Sequence, residues 1–351
     1  MQQVSSGANP KLSEIYRSLD SCKTSPRPNI CPVYREFIAD METPLTVLMK
    51  LRGYARKIGA VHSDHCFLLE SVEGGERLAR YSIVGVAPSA VLAVGEQGKP
   101  YVTHSGDPLI HLEEALSKKI PLAVPSISLP AFTGGAVGFV GYDCVRYFEP
   151  RVAPIVDAQE DVLGIPEALF MIVDTMVVFD HVRHTIKVVS QMDIPAEGGP
   201  SSEEAYASAC EKIDALQNHL AAPLPATTKL LPLISPVSPP RSFQRSGTRC
   251  SSPTPPMVSQ TPPAASRDWD AFSNVGREGY EAMVHKIKNH IIDGDVIQAV
   301  TSHRISRPIP RDSGVSGLDM YRQLRIVNPS PYMFYLECGN DFSVRFHGIA
   351  R

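Results

Sequence analysis

The stretch MIVDTMVVFDHVRHTIKVVS, residues 171–190, decides the fold. It contains two β-rich runs, residues 171–180 and 185–190, on either side of a polar break at residues 181–184. Branched and aromatic side chains favour extended backbone, and two such runs around a short polar break are typical of a β-hairpin. The stretch therefore predicts two neighbouring antiparallel strands.

The rest of the chain mixes strands and helices. Short β-rich runs predict strands at residues 66–70, 81–86, 91–94, 296–301 and 332–337, and strands are expected to dominate residues 134–190. Apolar residues at helical spacing predict helices at residues 44–52 (ended by Gly53), 108–118, 202–220, 280–293 and 318–327. Because the order is not a strict βαβ alternation, we predict the α+β class with a mostly antiparallel sheet.

Composition excludes several classes of function. The 351 residues are 43% hydrophobic and carry 34 basic against 37 acidic side chains, a formal charge of -3. A protein that binds nucleic acid or an anionic membrane by its charge needs a large positive field, so no nucleic-acid or membrane partner is expected. The seven cysteines are scattered without a C-x-x-C pair, and no apolar run reaches the ~18 residues of a membrane helix. We therefore expect a cytoplasmic protein.

One change in composition divides the chain. Residues 221–266 hold eleven of the 31 prolines and no acidic residue. Such a stretch buries too little apolar surface to offset its ordering entropy, so residues 221–268 are predicted to be a disordered insertion. A proline-motif ligand or a phosphorylation tether is the alternative. The insertion separates residues 1–29 and 30–220 on one side from residues 269–351 on the other.

Two motifs suggest chemistry but have simpler explanations. The glycine series GGAVGFVGYD, residues 134–143, lacks the Gly-Lys-Ser/Thr ending of a phosphate-binding loop, and glycines in strands more often allow close backbone approach. His62 and His65, like His181 and His184, have a spacing that a metal could use. No third ligand is placed near either pair, so no metal site is predicted.

Two further features are candidate binding sites. Gln298 shares a predicted strand face with Val296 and Val300, which would place one neutral amide among apolar neighbours. It is either a satisfied core amide or part of a pocket. LLES at residues 68–71 and NPSPYMF at residues 328–334 combine a carboxylate, a hydroxyl, rigid prolines, an aromatic ring and a thioether. Together they could bind a small amphipathic zwitterion such as an amino acid, or be only a turn and a strand end.

At these residues the chain resembles anthranilate synthase component I, a chorismate-binding family. The matching stretches are PVYREFIAD (32–40), FLLESVEGGERLARYSIVG (67–85), GGAVGFVGYD (134–143), FMIVDTMVVFDH (170–181), GDVIQAVTSHR (294–304) and VNPSPYMFYLECG (327–339). The resemblance covers residues 30–197 and 274–344, the second block being the start of a chorismate-binding domain. It implies a layered α/β sandwich with mostly antiparallel sheets.

The resemblance also implies a function. The family, of the oxo-acid lyase class, converts chorismate and ammonia to anthranilate and pyruvate in tryptophan biosynthesis, with Mg²⁺ at the substrate carboxylate. A glutamine amidotransferase subunit, component II, supplies the ammonia, and tryptophan inhibits by feedback. The effector site would comprise Glu70, Ser71, Pro331, Tyr332 and Met333.

The family pattern also bears on catalysis. In related enzymes that add water, the position equivalent to Gln298 looks like a lysine that can act as a base. Ammonia needs no such base, so a neutral amide there is compatible with amination. After residue 344 the chain departs from the family pattern, and the family's substrate loop, catalytic histidine and Mg²⁺-binding glutamates have no counterpart in it. We therefore expect a catalytically incomplete chain, with the sheet incomplete on its C-terminal side. A 4-amino-4-deoxychorismate synthase component, or a non-catalytic tryptophan-binding or docking module, are the alternatives.

Overall fold

A computed structural model describes most of the chain outside the proline-rich tract. The described residues are 7–38, 40–71, 80–95, 102–195, 201–225, 231, 272–328, 330, 332–339 and 345–350. The predicted insertion, residues 221–268, lies almost entirely outside them. Two compact units are found, residues 1–234 with 317–351, and residues 235–316.

Helices and strands alternate irregularly along the chain. The helices are α1 (Leu12–Ser21), α2 (Pro44–Lys57), α3 (Pro108–Leu116), α4 (Val145–Phe148), α5 (Ala153–Asp157), α6 (Ser202–Leu220), α7 (Gly276–Ile292) and α8 (Gly317–Val327). The strands are β1 (Ile30–Ile38), β2 (His65–Ser71), β3 (Tyr81–Val86), β4 (Ala90–Val94), β5 (Gly135–Val140), β6 (Ala168–Val173), β7 (Thr175–Asp180), β8 (Thr185–Asp193), β9 (Tyr332–Cys338) and β10 (Arg345–Ala350). None of the described helices is long and apolar enough to cross a lipid bilayer.

The first unit contains two sheets in which every strand pairing is antiparallel. The larger sheet has the order β1-β8-β7-β3-β2-β9-β10, and the smaller one has the order β4-β6-β5. The predicted hairpin is confirmed, since Asp180 pairs with Thr185 across residues 181–184. The predicted run 171–180 is, however, two strands. The chain turns at Asp174, so β6 enters the small sheet and β7 the large one.

Apolar residues on both faces of the large sheet bury its strands in a layered core. One face packs against α1, α2, α6 and α8 through residues such as Ile15, Leu48 and Ile213. The other face packs against the small sheet through residues such as Phe67 and Met171. Alternation of side chains along each strand explains this arrangement, because neighbouring residues point to opposite faces. The predicted α+β class and antiparallel sandwich are confirmed.

Helix α2 is longer than the sequence predicts. Thr43 caps its N-terminus, since its Oγ1 accepts a hydrogen bond from the Thr46 N–H at 3.1 Å. The helix continues through Gly53, which was expected to end it, and stops at Ile58 and Gly59, whose φ is +63°. A single internal glycine weakens a helix but does not end it when flanking turns are packed. Similarly, residues 142–157, expected to be mainly strand, form short helices.

The second unit differs most from the sequence prediction. Helix α7 forms as expected, but the predicted strand at residues 296–301 does not. In the described part of this unit, the one β-bridge joins Ser273 and Ile305, so residues 296–301 have no strand to pair with. Ile297 is 98% exposed, and Gln298 is also exposed. The expectation that Gln298 is a strand amide among buried apolar neighbours is therefore wrong.

The glycine series at residues 134–143 serves close packing, and a substitution there tests this. A Cβ on Gly138 would lie 1.8 Å from the Leu169 carbonyl oxygen of the paired strand β6. Gly138→Ala should therefore lower the free energy of unfolding by about 2 kcal/mol or more, because backbone must move. Urea denaturation followed by far-ultraviolet circular dichroism measures the change.

The control for this substitution is Gly53→Ala. A Cβ at Gly53 meets nothing within 4 Å. Alanine is the better helix former, so this variant should gain roughly 0.5–1 kcal/mol. Equal stability of the two variants would contradict the packing role of Gly138.

Candidate functional site

Strands β2 and β9 bring the two predicted binding segments together. Their antiparallel register pairs Glu70 with Met333 and Ser71 with Tyr332. The resemblance-derived site therefore has its four described residues on adjacent strand ends, although the segments lie far apart in sequence. Pro331 lies outside the described residues. Because neighbours along a strand point to opposite faces, the Glu70 and Met333 pair faces the helices and the other pair faces away from them.

Glu70 is buried and held by two donors from α8. Its side chain is 3% exposed, and its carboxylate accepts a hydrogen bond from the Tyr321 hydroxyl. Arg325 forms an ion pair with it, the Nε to Oε2 distance being 3.3 Å. Burial and the Glu70 charge raise the pKa of Tyr321 well above its ordinary value. The Tyr321 hydroxyl therefore stays protonated and acts as a donor at neutral pH.

A cleft of about 400 Å³ opens at these strand ends; we call it the sheet-end cleft. Its volume falls within the ~300–1,000 Å³ range of small-molecule pockets. Most of the residues that line it are polar, with charges of both signs. It is lined by Asp40, Glu42, Thr43, Pro44, Glu70, Ser71, Ser82, Phe179, Asp180, His181, His184, Thr185 and Arg325.

A serine and a histidine meet in the floor of the sheet-end cleft. The Ser82 Oγ and His181 Nε2 atoms are 2.7 Å apart, and Ser82 is 1% exposed. Burial lowers the pKa of His181 below 6.5, partly opposed by the charges of Glu70 and Asp180. At neutral pH His181 is therefore mainly the uncharged imidazole, which can either accept from or donate to the serine hydroxyl.

Asp180 carries a full charge beside this pair. Burial would raise the pKa of Asp180, but hydrogen bonds from Arg80 and from the Arg183 and Val182 N–H groups outweigh it and lower the pKa below 3.8. The Arg80 Nη2 lies 2.8 Å from the Asp180 Oδ2. The carboxylate of Asp180 is thus neutralised within the protein rather than offered to a ligand.

A second cleft of about 390 Å³ lies along α8, and we call it the α8 cleft. It is lined by Leu45, Leu231, Arg322, Gln323, Arg325, Ile326 and Met333. Met333 thus lines the α8 cleft, whereas Glu70 and Ser71 line the sheet-end cleft, which opens at the strand ends. Arg325 belongs to both walls. Tyr332 is 46% exposed at the end of β9.

The sequence did not predict four of these residues as members of a site. Ser82 lies in a run that predicts only a strand, and His181 belongs to a histidine pair for which no metal site is predicted. Tyr321 lies within the predicted helix at residues 318–327. Arg325 follows Tyr321 by four residues, which places both on one helix face. That spacing, close to the NPSP turn, is the signal that could have identified the pair.

The described residues offer no place for a metal ion. Among them, no three His, Cys, Asp or Glu side chains are grouped to hold one. The Mg²⁺ that the resemblance implies therefore does not fit the described side chains, and no step is assigned to it here.

Comparison with known proteins identifies the family. The family model described as chorismate binding enzyme matches residues 64–345, most of the chain. The chain belongs to the chorismate binding enzyme family. Residues Glu70, Ser71, Arg325 and Met333 all fall within the matched range.

Several relatives of this chain are named anthranilate synthase component 1. The chain is 36% identical over 336 residues to "Probable anthranilate synthase component 1" of Schizosaccharomyces pombe, covering 95% of this chain and 55% of that protein. It is 34% identical over 318 residues to "Anthranilate synthase component 1" of Saccharomyces cerevisiae, covering 90% and 52%. The chain thus spans about half the length of the curated relatives it matches. A solved anthranilate synthase component I from Streptococcus pneumoniae is 25% identical, with a TM-score of 0.45 and coverage of 75% and 50%.

The buried His181 makes stability depend on pH. Because the pKa of His181 is lowered in the folded protein, the unfolded chain takes up a proton more readily as pH falls below 6.5. The free energy of unfolding should therefore fall between about pH 7 and pH 5, and His181→Gln should flatten that part of the curve. Urea denaturation at several pH values measures this. The exposed His285→Gln on α7 is the control; an unchanged slope in His181→Gln would disprove the assignment.

Proposed function

We propose that this chain is an anthranilate synthase large subunit that is catalytically incomplete by itself. The reaction aminates chorismate with ammonia and releases water and pyruvate, giving anthranilate for tryptophan biosynthesis, which places it in the oxo-acid lyase class. One observation carries the proposal: relatives named anthranilate synthase component 1 align with about nine-tenths of the chain. The matched family supports chorismate as the substrate.

The proposal includes a partner. The relatives are named component 1, which implies a second component. We propose that this component is a glutamine amidotransferase that delivers ammonia. Location in the cytoplasm stays a prediction from the scattered cysteines. Mg²⁺ at the substrate carboxylate also stays a prediction, since the described side chains include no group that fits it.

Gln298 remains a candidate residue of the substrate pocket. Its side chain is an amide, which can donate and accept hydrogen bonds but cannot take up a proton at neutral pH. Ammonia is already a nucleophile and needs no base of that kind. An amide at this position is therefore compatible with amination and disfavours addition of water.

Disruption of the gene tests the reaction directly. We expect a strain without it to require tryptophan and to grow again when anthranilate is supplied, because anthranilate is the proposed product. A requirement for 4-aminobenzoate instead would favour the 4-amino-4-deoxychorismate synthase alternative. Growth without either supplement would show that the gene is indispensable for neither reaction, which would contradict the proposal. Reintroducing the intact gene is the control.

We further propose that tryptophan inhibits by binding at the ends of β2 and β9. The effector site would contain Glu70, Ser71, Pro331, Tyr332 and Met333. Support comes from the register that pairs Glu70 with Met333 and Ser71 with Tyr332, and from the two clefts beside them. An amino acid with an indole ring needs both a polar and an apolar wall. The sheet-end cleft provides the first, and Leu45, Ile326 and Met333 of the α8 cleft provide the second.

Calorimetry tests the effector site. Tryptophan should release heat on binding to the purified chain, and Ser71→Ala should weaken binding about 2- to 10-fold by removing one hydrogen bond. Met333→Ala should weaken it as well, through lost apolar contact. Ser117→Ala, an exposed serine after α3, is the matched control and should bind like the unchanged chain. Absence of binding heat with the unchanged chain would contradict the proposal.

A further inference from the structure

Arg325 occupies a distinctive place between the two clefts. Among the described residues, it is the one that lines both of them. Its side chain is 30% exposed and extends from the last turn of α8. Among the described residues that line the sheet-end cleft, it is the one arginine, and there is no lysine. A ligand in either cleft would therefore meet a permanent positive charge at Arg325.

Arg325 is fixed by groups that are themselves buried. Glu70 is 3% exposed and lies 3.3 Å from the Arg325 Nε, and the Tyr321 hydroxyl donates to the same carboxylate oxygen. Tyr321 is 0% exposed, and the Arg325 guanidinium lies 6.0 Å from its ring centroid. A carboxylate beside Nε can engage at most Nε and one terminal nitrogen. The other edge of the guanidinium thus remains available for a second carboxylate.

The acids of the sheet-end cleft are already occupied, with one exception. Asp180 is paired with Arg80, Glu42 with Lys50, and Glu70 with Arg325. Asp40 is exposed and has no ion-pair partner among the described residues. Among its described residues, the cleft therefore presents one cation with a free edge and one acid without an ion-pair partner. That complement suits the carboxylate and ammonium groups of a free α-amino acid, with the ring directed to the α8 cleft.

We propose that Arg325 binds the α-carboxylate of the amino-acid effector, and that Glu70 and Tyr321 position Arg325 rather than contact the ligand. This inference rests on the proposed feedback site and assigns its specificity-determining residue. It differs from the sequence expectation in the role of Glu70. There Glu70 is one of the residues that bind the effector; here its carboxylate anchors a cation.

Three indole ligands separate these roles in calorimetry. Tryptophan has both charged groups, tryptamine lacks the carboxylate, and indole-3-propionate lacks the ammonium group. Arg325→Gln should weaken tryptophan and indole-3-propionate about 10- to 100-fold, because a charge-assisted pair is lost, and should leave tryptamine unchanged. Arg325→Lys keeps the charge but not the planar fork, so a smaller loss of the same two ligands is expected.

Glu70→Gln and Tyr321→Phe test positioning. If Glu70 anchors Arg325, both variants should weaken the two carboxylate-bearing ligands and spare tryptamine. If Glu70 bound the ammonium group, Glu70→Gln would instead weaken tryptophan and tryptamine and spare indole-3-propionate. Arg17→Gln, exposed on α1 and lining neither cleft, is the matched control. Circular dichroism verifies that each variant folds. If Arg325→Gln does not fold, the affinities of the unchanged chain and of Arg325→Lys for the three ligands still test the role of Arg325.

The outcomes are distinct. An equal loss of all three ligands in Arg325→Gln, or no loss, would overturn the role of Arg325 while leaving effector binding intact. Failure of tryptophan to bind the unchanged chain would overturn the feedback site and this inference together.

Discussion

The pairing of β2 with β9 is the constraint on which the rest of the site depends. Seven consecutive residue pairs join His65–Ser71 to Tyr332–Cys338, closing a loop of more than 250 residues. Closing so long a loop costs only slightly more entropy than closing a shorter one, since the cost grows with the logarithm of length. The pairing is supported by burial of Leu68, Met333 and Tyr335 in one core. Without it, α8 would not bring Tyr321 and Arg325 to Glu70.

The buried carboxylate of Glu70 links the packing of α8 on the sheet to the proposed binding site. A carboxylate removed from water is costly unless donors and a countercharge surround it. Tyr321 and Arg325 supply both, and neither is on the strand that carries Glu70. The same contacts therefore stabilise the packing of α8 on the sheet and orient a cation toward two clefts. Glu337 on β9 is a second buried acid. Its carboxylate accepts hydrogen bonds from Arg52 and from the Tyr335 hydroxyl.

Local patterns predicted the elements well where neighbours in sequence are also neighbours in space. The hairpin at residues 181–184 and strand β3 follow from alternation and turn chemistry alone. The division of residues 171–180 at Asp174 did not, because it depends on which sheet each half joins. The segment around Gln298 was predicted as a strand but does not form one. Its residues favour extended backbone, but a strand forms only where a neighbouring strand is available for hydrogen bonding. The juxtaposition of Ser71 and Tyr332 came from the family resemblance, and the place of Arg325 came from the structure.

A backbone amide NMR titration of the chain with tryptophan tests the shared binding site most directly. We expect cross-strand contacts between β2 and β9 in the described register, and shifts on titration at both strand ends and at the last turn of α8. Shifts confined to one of these strands, or located far from all three elements, would contradict a shared binding site built by their pairing.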